Sequence, residues 1–208
     1  PQGAPGDVEI LPVERHQLAD PQAGGVEQLE HGAVAQGQRL VAVALQAGAH
    51  IPLPAFDPAA VLNAISAHRA THVTLVPTMI SRVLDAMPGA NADLASLRRI
   101  IYGASPIPEA LLTRAIESLP HVQFGQSYGQ TETITITVLP AERHVANGPM
   151  AGKLKSAGVP AFGAIVEVRT AEGARAQPGE LGEICVRSGS LMSGYWRNPE
   201  ASAATLKN

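Results

Sequence analysis

Thr71-His72-Val73-Thr74-Leu75-Val76-Pro77, Arg98-Arg99-Ile100-Ile101-Tyr102-Gly103 and Val122-Gln123-Phe124-Gly125-Gln126-Ser127-Tyr128 are β-branched and apolar runs separated by helical periods. Between the first two, Ile80, Val83, Leu84 and Met87 share one helical face, and the pattern ends at Pro88-Gly89. Between the second and third, a helix opens at Pro108-Glu109 and keeps Leu111, Leu112, Ala115, Ile116 and Leu119 together. Ahead of the first run, Phe56-Asp57-Pro58 starts a helix that carries Val61, Leu62 and Ile65. Asp57 is placed to cap its free N–H groups and Pro58 is pre-set for its first turn. The order is αβαβαβ. Such alternation predicts an α/β fold, a parallel sheet with covering helices, because a parallel strand needs a crossover and a helix is the usual one. Ligands are then expected at the carboxyl ends of the strands.

Outward from this stretch the chain divides into a poorly recognisable segment (1–44), an α/β subdomain (45–140) and a β-rich subdomain (141–208). Residues 1–44 are rich in Gln, Ala and Gly, and their apolar residues keep no period for long. Val41-Ala42-Val43-Ala44-Leu45 reads as helical, and His50-Ile51-Pro52-Leu53-Pro54 as an edge segment because of its prolines. Past Pro140 the texture turns Gly-rich around strands expected at Ile165–Thr170 and Gly182–Ser188, a smaller β-barrel-like unit. The chain opens at Pro1 and stops at Asn208 just as a helical pattern starts, so both ends read as internal to a longer sequence.

Composition narrows the function. The 208 residues are 45% hydrophobic, enough for an ordinary core. A net charge of -3 gives no broad basic surface for nucleic acid. No apolar run approaches the roughly 20 residues that span a bilayer, and the N-terminus lacks a signal-peptide pattern. A cytoplasmic protein with small-molecule partners is expected. The lone Cys185, within Ile184-Cys185-Val186, reads as packing and not as a reactive thiol. Of the seven histidines, His68 and His72 stand at i, i+4, but one ends a helix and the other begins a strand, so no zinc site is expected.

The predicted strand ends present Pro77-Thr78, Gly103-Ala104-Ser105-Pro106 and Tyr128-Gly129-Gln130-Thr131-Glu132 along one edge. At the first two, a strand end meets a helix start, where free N–H groups favour an anion such as phosphate. The third adds a flat ring, a hydroxyl donor, a hard carboxylate and a glycine that admits a ligand to the backbone. The set suits a magnesium nucleotide, with Tyr128 on a base, Thr131 on a phosphate oxygen and Glu132 on Mg²⁺. Taken alone, Thr131-Glu132 is more often a polar turn than a metal site. Ser105 reads as a helix cap, since no base can be assigned to make it a nucleophile.

These runs, with Gly179-Glu180-Leu181-Gly182-Glu183-Ile184-Cys185-Val186-Arg187 and Gly194-Tyr195-Trp196-Arg197-Asn198-Pro199-Glu200-Ala201, resemble the adenylate-forming superfamily, closest to its acyl-CoA synthetases. The resemblance runs from about Leu45 to the C-terminus with every block in order. It implies that Gly103, Ala104 and Ser105 border the adenine and acyl pockets. It likewise implies that Gln126, Ser127 and Tyr128 contact the nucleotide and that Gly129 and Gln130 line the acyl side. The matching threonine, Thr131, would bind the α-phosphate, and Glu132 would bind Mg²⁺. The glycines near Gly179 become turns, and Tyr195 and Trp196 become packing residues.

The resemblance implies ATP, Mg²⁺ and CoA as reactants and cofactor, and a carboxylic acid as substrate. The reaction implied is a two-step ligation through an acyl-adenylate. In-line attack on the α-phosphate needs positioning and charge neutralisation more than a protein nucleophile. Several expected parts are not found. They are a Ser/Thr/Gly-rich phosphate loop ending in lysine, a Thr-Gly-Asp block, the arginine that follows it, and a C-terminal domain with a catalytic lysine. His16 and His31 also lack the aromatic-His context the superfamily places there. Two alternatives therefore stand beside the ligase. One is a peptide-synthetase adenylation domain, which would want an aspartate near the Gly103 or Tyr128 block. The other is a non-catalytic remnant. A sheet missing its N-terminal strands would also leave an open edge and favour self-association.

Overall fold

The computed structural model describes residues 8–12, 48–145 and 152–207. In chain order its main elements are β1 (Val8–Pro12), β2 (Ala49–Leu53), α1 (Pro58–His68), β3 (His72–Leu75), α2 (Pro77–Ala86), β4 (Arg99–Gly103), α3 (Glu109–Ser118), β5 (Gln123–Gln130) and β6 (Ile134–Leu139). Then follow β7 (Val159–Pro160), β8 (Ala164–Arg169), β9 (Glu183–Ser188) and α4 (Pro199–Thr205). Among the described residues no helix is long and apolar enough to cross a membrane.

The helices form where their signals predict. The Asp57 carboxylate accepts from the Ala60 N–H at 2.8 Å, and Pro58 fills the first turn of α1. The helix buries Val61, Leu62, Ala64 and Ile65 and stops at Arg69, which turns left-handed with φ 52°. Pro77, expected at a strand end, instead opens α2, where its missing N–H removes no hydrogen bond. α2 buries Ile80, Val83 and Leu84, and α3 buries Leu112 and Ala115.

The strands assemble in the order β2-β1-β3-β4-β5-β6-β7. From β2 to β5 the neighbours run parallel; β6 and β7 add on antiparallel. Alternation sorts the two faces. Val73, Leu75, Ile100, Tyr102 and Phe124 join the helices' apolar residues in one core, while His72, Thr74 and Ile101 point to the less covered side. Fully burying a side chain the size of Phe124 or Leu62 stabilises by about 1.5–3 kcal/mol. Register carries this order to the strand ends. Leu75 lies beside Tyr102, and Gly103 beside Ser127, so the carboxyl ends of β3, β4 and β5 share one edge.

Several expectations need correction. Within residues 1–44, where no strand was expected, Val8–Pro12 forms β1 inside the sheet between β2 and β3. A short parallel strand between two neighbours need not alternate, so it leaves no period to read. β6 is a further strand beyond those expected, and Ile134-Thr135-Ile136-Thr137 alternates as a half-buried strand does. The small unit is an antiparallel pair, β8 with β9; no closed barrel is found among the described residues. β7, past Pro140, still belongs to the large sheet. Trp196 does not pack, being 85% exposed with Arg197 over its ring. The helix read at Val41–Leu45, and His16 and His31, lie outside the described residues.

A buried polar pair anchors the end of β4. The Tyr102 hydroxyl lies 3.0 Å from His144 Nε2, and His144 Nδ1 lies 2.9 Å from the Pro140 carbonyl. The carbonyl can only accept, so Nδ1 donates; burial disfavours the charged ring, which leaves the imidazole neutral and Nε2 accepting from Tyr102. Burial lowers the His144 pKa and raises that of the Tyr102 phenol. The unfolded histidine titrates near 6.5, above the folded one, so stability is full above that pH. It falls as the pH drops through 6.5 towards the folded value, because the unfolded chain takes the proton first. The urea midpoint is expected to fall between pH 7.5 and 5.5, with a smaller fall in His144→Gln. Equal slopes in the two proteins would show that His144 is not the group responsible.

Candidate functional site

The site grows from two strand ends and one hairpin tip. At the end of β4, a Cβ on Gly103 would collide with the Ser127 carbonyl oxygen of β5, so only glycine fits. Ala104 then turns the chain with φ 66°, a left-handed conformation that strains a residue with a side chain by about 1–2 kcal/mol. Ser105 and Pro106 follow, both exposed. Ser105 does not cap α3. That position belongs to Pro108, which makes no side-chain cap bond, because α3 begins only at Glu109.

β5 carries Gln126, Ser127, Tyr128, Gly129 and Gln130 out to the same edge, two residues beyond the expected stop at Tyr128. Gln126 and Ser127 are half-buried, and Tyr128 is 36% exposed. The pairing with β6 shifts register between Tyr128 and Gly129, and such a bulge re-aims the strand end. At Gly129 a Cβ would fall on the Ile134 carbonyl oxygen of β6. A turn closed by Thr133 N–H donating to Gln130 C=O at 3.1 Å then projects Thr131 and Glu132.

The tip holds unspent polar groups. The hydroxyl oxygens of Thr131 and Thr133 are buried and without a hydrogen-bond partner. Each unsatisfied group costs about 1–3 kcal/mol, which a phosphate oxygen accepting from Thr131 would recover. Glu132 is half-buried, and its Oε1 accepts from the Tyr195 hydroxyl at 2.6 Å. Among the described residues there is no group of three or more His, Cys, Asp or Glu that could hold a metal. A single carboxylate is compatible with Mg²⁺, since that ion keeps several waters and takes one or two carboxylates plus substrate phosphates.

A groove of about 730 Å³ borders β5 and is lined by Arg99, Ile101, Gly125, Gln126, Ser127, Thr135 and Glu142 among others. Gln126 and Ser127 therefore line this space, whereas Gly103, Thr131 and Glu132 do not. Tyr195 was missed as a site residue. Its partner is 63 residues away in sequence, and no local spacing signals such a contact.

A mixed, mostly parallel sheet with covering helices matches part of the N-terminal domain of adenylate-forming enzymes. A family model described as "AMP-binding enzyme" matches residues 33–196. The chain belongs to the AMP-binding enzyme family. It is 37% identical over 201 residues to a feruloyl-CoA synthase of Amycolatopsis sp, which covers 97% of this chain and 39% of that protein. To the medium/long-chain-fatty-acid–CoA ligase FadD8 of Mycobacterium tuberculosis it is 37% identical over 165 residues, 79% of this chain and 28% of that one. The structure of o-succinylbenzoate-CoA synthetase from Bacillus subtilis, in complex with ATP and magnesium ion, superposes with a TM-score of 0.74 at 25% identity. It covers 98% of this chain and 37% of that one. The chain thus spans well under half the length of these relatives. Their likeness also reaches into residues 1–44, further than the expected onset near Leu45.

Proposed function

We propose that the protein carrying this chain activates a carboxylic acid with ATP and joins it to CoA. The carboxylate attacks the α-phosphorus of ATP, the bond to pyrophosphate breaks, and an acyl-adenylate forms. The CoA thiol then attacks the acyl carbon, AMP leaves, and the thiol proton goes to solvent. Relatives named for CoA ligation support the thiol acceptor. Their acids differ in kind, one aromatic and one aliphatic, so the acid is set by the individual protein.

In this reading Thr131 donates its hydroxyl to the α-phosphate and Glu132 holds Mg²⁺, which when bound neutralises phosphate charge. Gly103, Ala104 and Ser105, with Gln126, Ser127 and Tyr128, border the adenine. Gly103, Gly129 and Gln130 border the acyl group. The buried, unpartnered Thr131 hydroxyl beside the Glu132 carboxylate carries the reading most directly. A neutral hairpin tip gains nothing from such a pair, whereas a phosphate and its cation use both. A cytoplasmic location belongs to the same proposal.

Carboxylate-dependent exchange of labelled pyrophosphate into ATP tests it. Exchange that needs both an acid and Mg²⁺ is expected. No exchange together with no Mg-ATP binding would leave a non-catalytic module. Self-association through the outer edge of β2 is part of the proposal too, moderated by Pro52, whose missing N–H weakens strand addition. Light scattering should report growth in mass at tens of micromolar chain, and a monodisperse monomer would dismiss it.

A further inference from the structure

The segment between β9 and α4 crosses the tip of the β5–β6 hairpin and ties to it three times. The Ser190 hydroxyl donates to the Thr133 carbonyl at 2.9 Å, and the Met192 N–H donates to the Glu132 carbonyl at 2.8 Å. The Tyr195 hydroxyl donates to Glu132 Oε1 at 2.6 Å. The first two ties hold backbone. The third holds the carboxylate itself, and its length is that of a charge-assisted O–H···O⁻ bond.

Tyr195 is in turn fixed from behind. Its N–H donates to the Ser202 hydroxyl of α4 at 2.8 Å, and that hydroxyl donates to the Asn198 carbonyl at 2.7 Å. Asn198 also caps α4, its Oδ1 accepting from the Ala201 N–H at 3.1 Å. Gly194, with φ 143°, lets the chain pass, since a Cβ there would lie 3.0 Å from the same Ser202 oxygen. The phenol is therefore set by α4 and aimed at Glu132.

We infer that Tyr195 is a positioning residue for the Glu132 carboxylate, so that the segment after β9 sets how tightly the hairpin tip holds a magnesium nucleotide. This rests on the reading of Glu132 as the Mg²⁺ ligand. A hydroxyl bonded to one carboxylate oxygen fixes the plane and direction of the group. Partners of this kind alter metal affinity by about 10–100-fold when removed. A carboxylate can only accept, so the Tyr195 hydroxyl is the donor.

The test measures binding of an ATP analogue with a non-cleavable α,β link, by calorimetry across a Mg²⁺ series, in the protein that carries this chain. Tyr195→Phe should raise the Mg²⁺ concentration for half-maximal binding about tenfold, the lower end of that range. Binding in EDTA should be unchanged. Ser190→Ala, which loosens the same segment without touching the carboxylate, should leave the Mg²⁺ requirement at the wild-type value. Glu132→Gln should raise it at least as far as Tyr195→Phe.

A Tyr195→Phe protein with the wild-type or a lower Mg²⁺ requirement, beside a Glu132→Gln protein that is shifted, overturns the inference and leaves the metal assignment standing. A shift in Ser190→Ala as large as in Tyr195→Phe overturns it as well, because the effect would then be one of general tethering. If Glu132→Gln does not shift the requirement, the metal reading of Glu132 fails, and the role of Tyr195 fails with it.

Discussion

Glu132→Ala is expected to lower carboxylate-dependent ATP–pyrophosphate exchange by about 10²–10³-fold, the loss typical when one preorganised group facing transition-state charge is removed. Two effects add. The only acidic side chain on the tip segment 128–133 is gone, so the cation that would neutralise the departing pyrophosphate loses its protein ligand. The Tyr195 hydroxyl, 2.6 Å from the carboxylate in the native protein, also loses that acceptor. Glu132→Gln separates the two, since an amide oxygen still accepts from the phenol while the charge is removed. A loss in Glu132→Gln as large as in Glu132→Ala assigns the effect to the charge. The hairpin itself should survive, because the bonds from Met192 and Ser190 go to backbone carbonyls. An unchanged thermal midpoint would confirm that activity and not folding is lost. Full exchange in Glu132→Ala would remove this residue from the chemistry altogether.

Much of the fold was readable because its signals are local. Asp57 and Pro58 mark a helix start within a few residues, and the faces built from Ile80, Val83 and Leu84 or from Leu112 and Ala115 repeat at the helical period. The site glycines were readable only as punctuation. That Gly103 must clear the Ser127 carbonyl, and Gly129 the Ile134 carbonyl, depends on pairings across strands. Ser105 failed as a cap for a related reason. A capping oxygen must sit next to the first helical residue, and α3 opens later, at Glu109, on a proline already held near helical φ. Tyr195 is the extreme case. Its sequence neighbourhood suggests packing, and only the path of the chain between β9 and α4 brings its hydroxyl to Glu132.

Gly129→Ala is expected to destabilise the protein by about 3 kcal/mol or more and to abolish exchange together with Mg-ATP binding. The added methyl would fall on the Ile134 carbonyl oxygen, with Thr135 Cα also near. Both are backbone atoms of β6 and cannot swing aside as a flexible side chain can. To relieve the clash β6 must move away from β5, which breaks the pairs Gly129 with Thr135 and Gln130 with Ile134 that close the hairpin. Thr131 and Glu132 project from the turn those pairs define, so neither would keep its direction. Gly125→Ala is the control on the same strand. Nothing lies within 4 Å of a Cβ there, and a strand interior slightly prefers alanine to glycine, so the change should be within about 1 kcal/mol of neutral. Urea midpoints of the two variants read the difference directly. Equal stability would mean that the β5–β6 approach at Gly129 is looser than described. The positions of Thr131 and Glu132 would then depend less on that glycine than on the bonds from Ser190 and Met192.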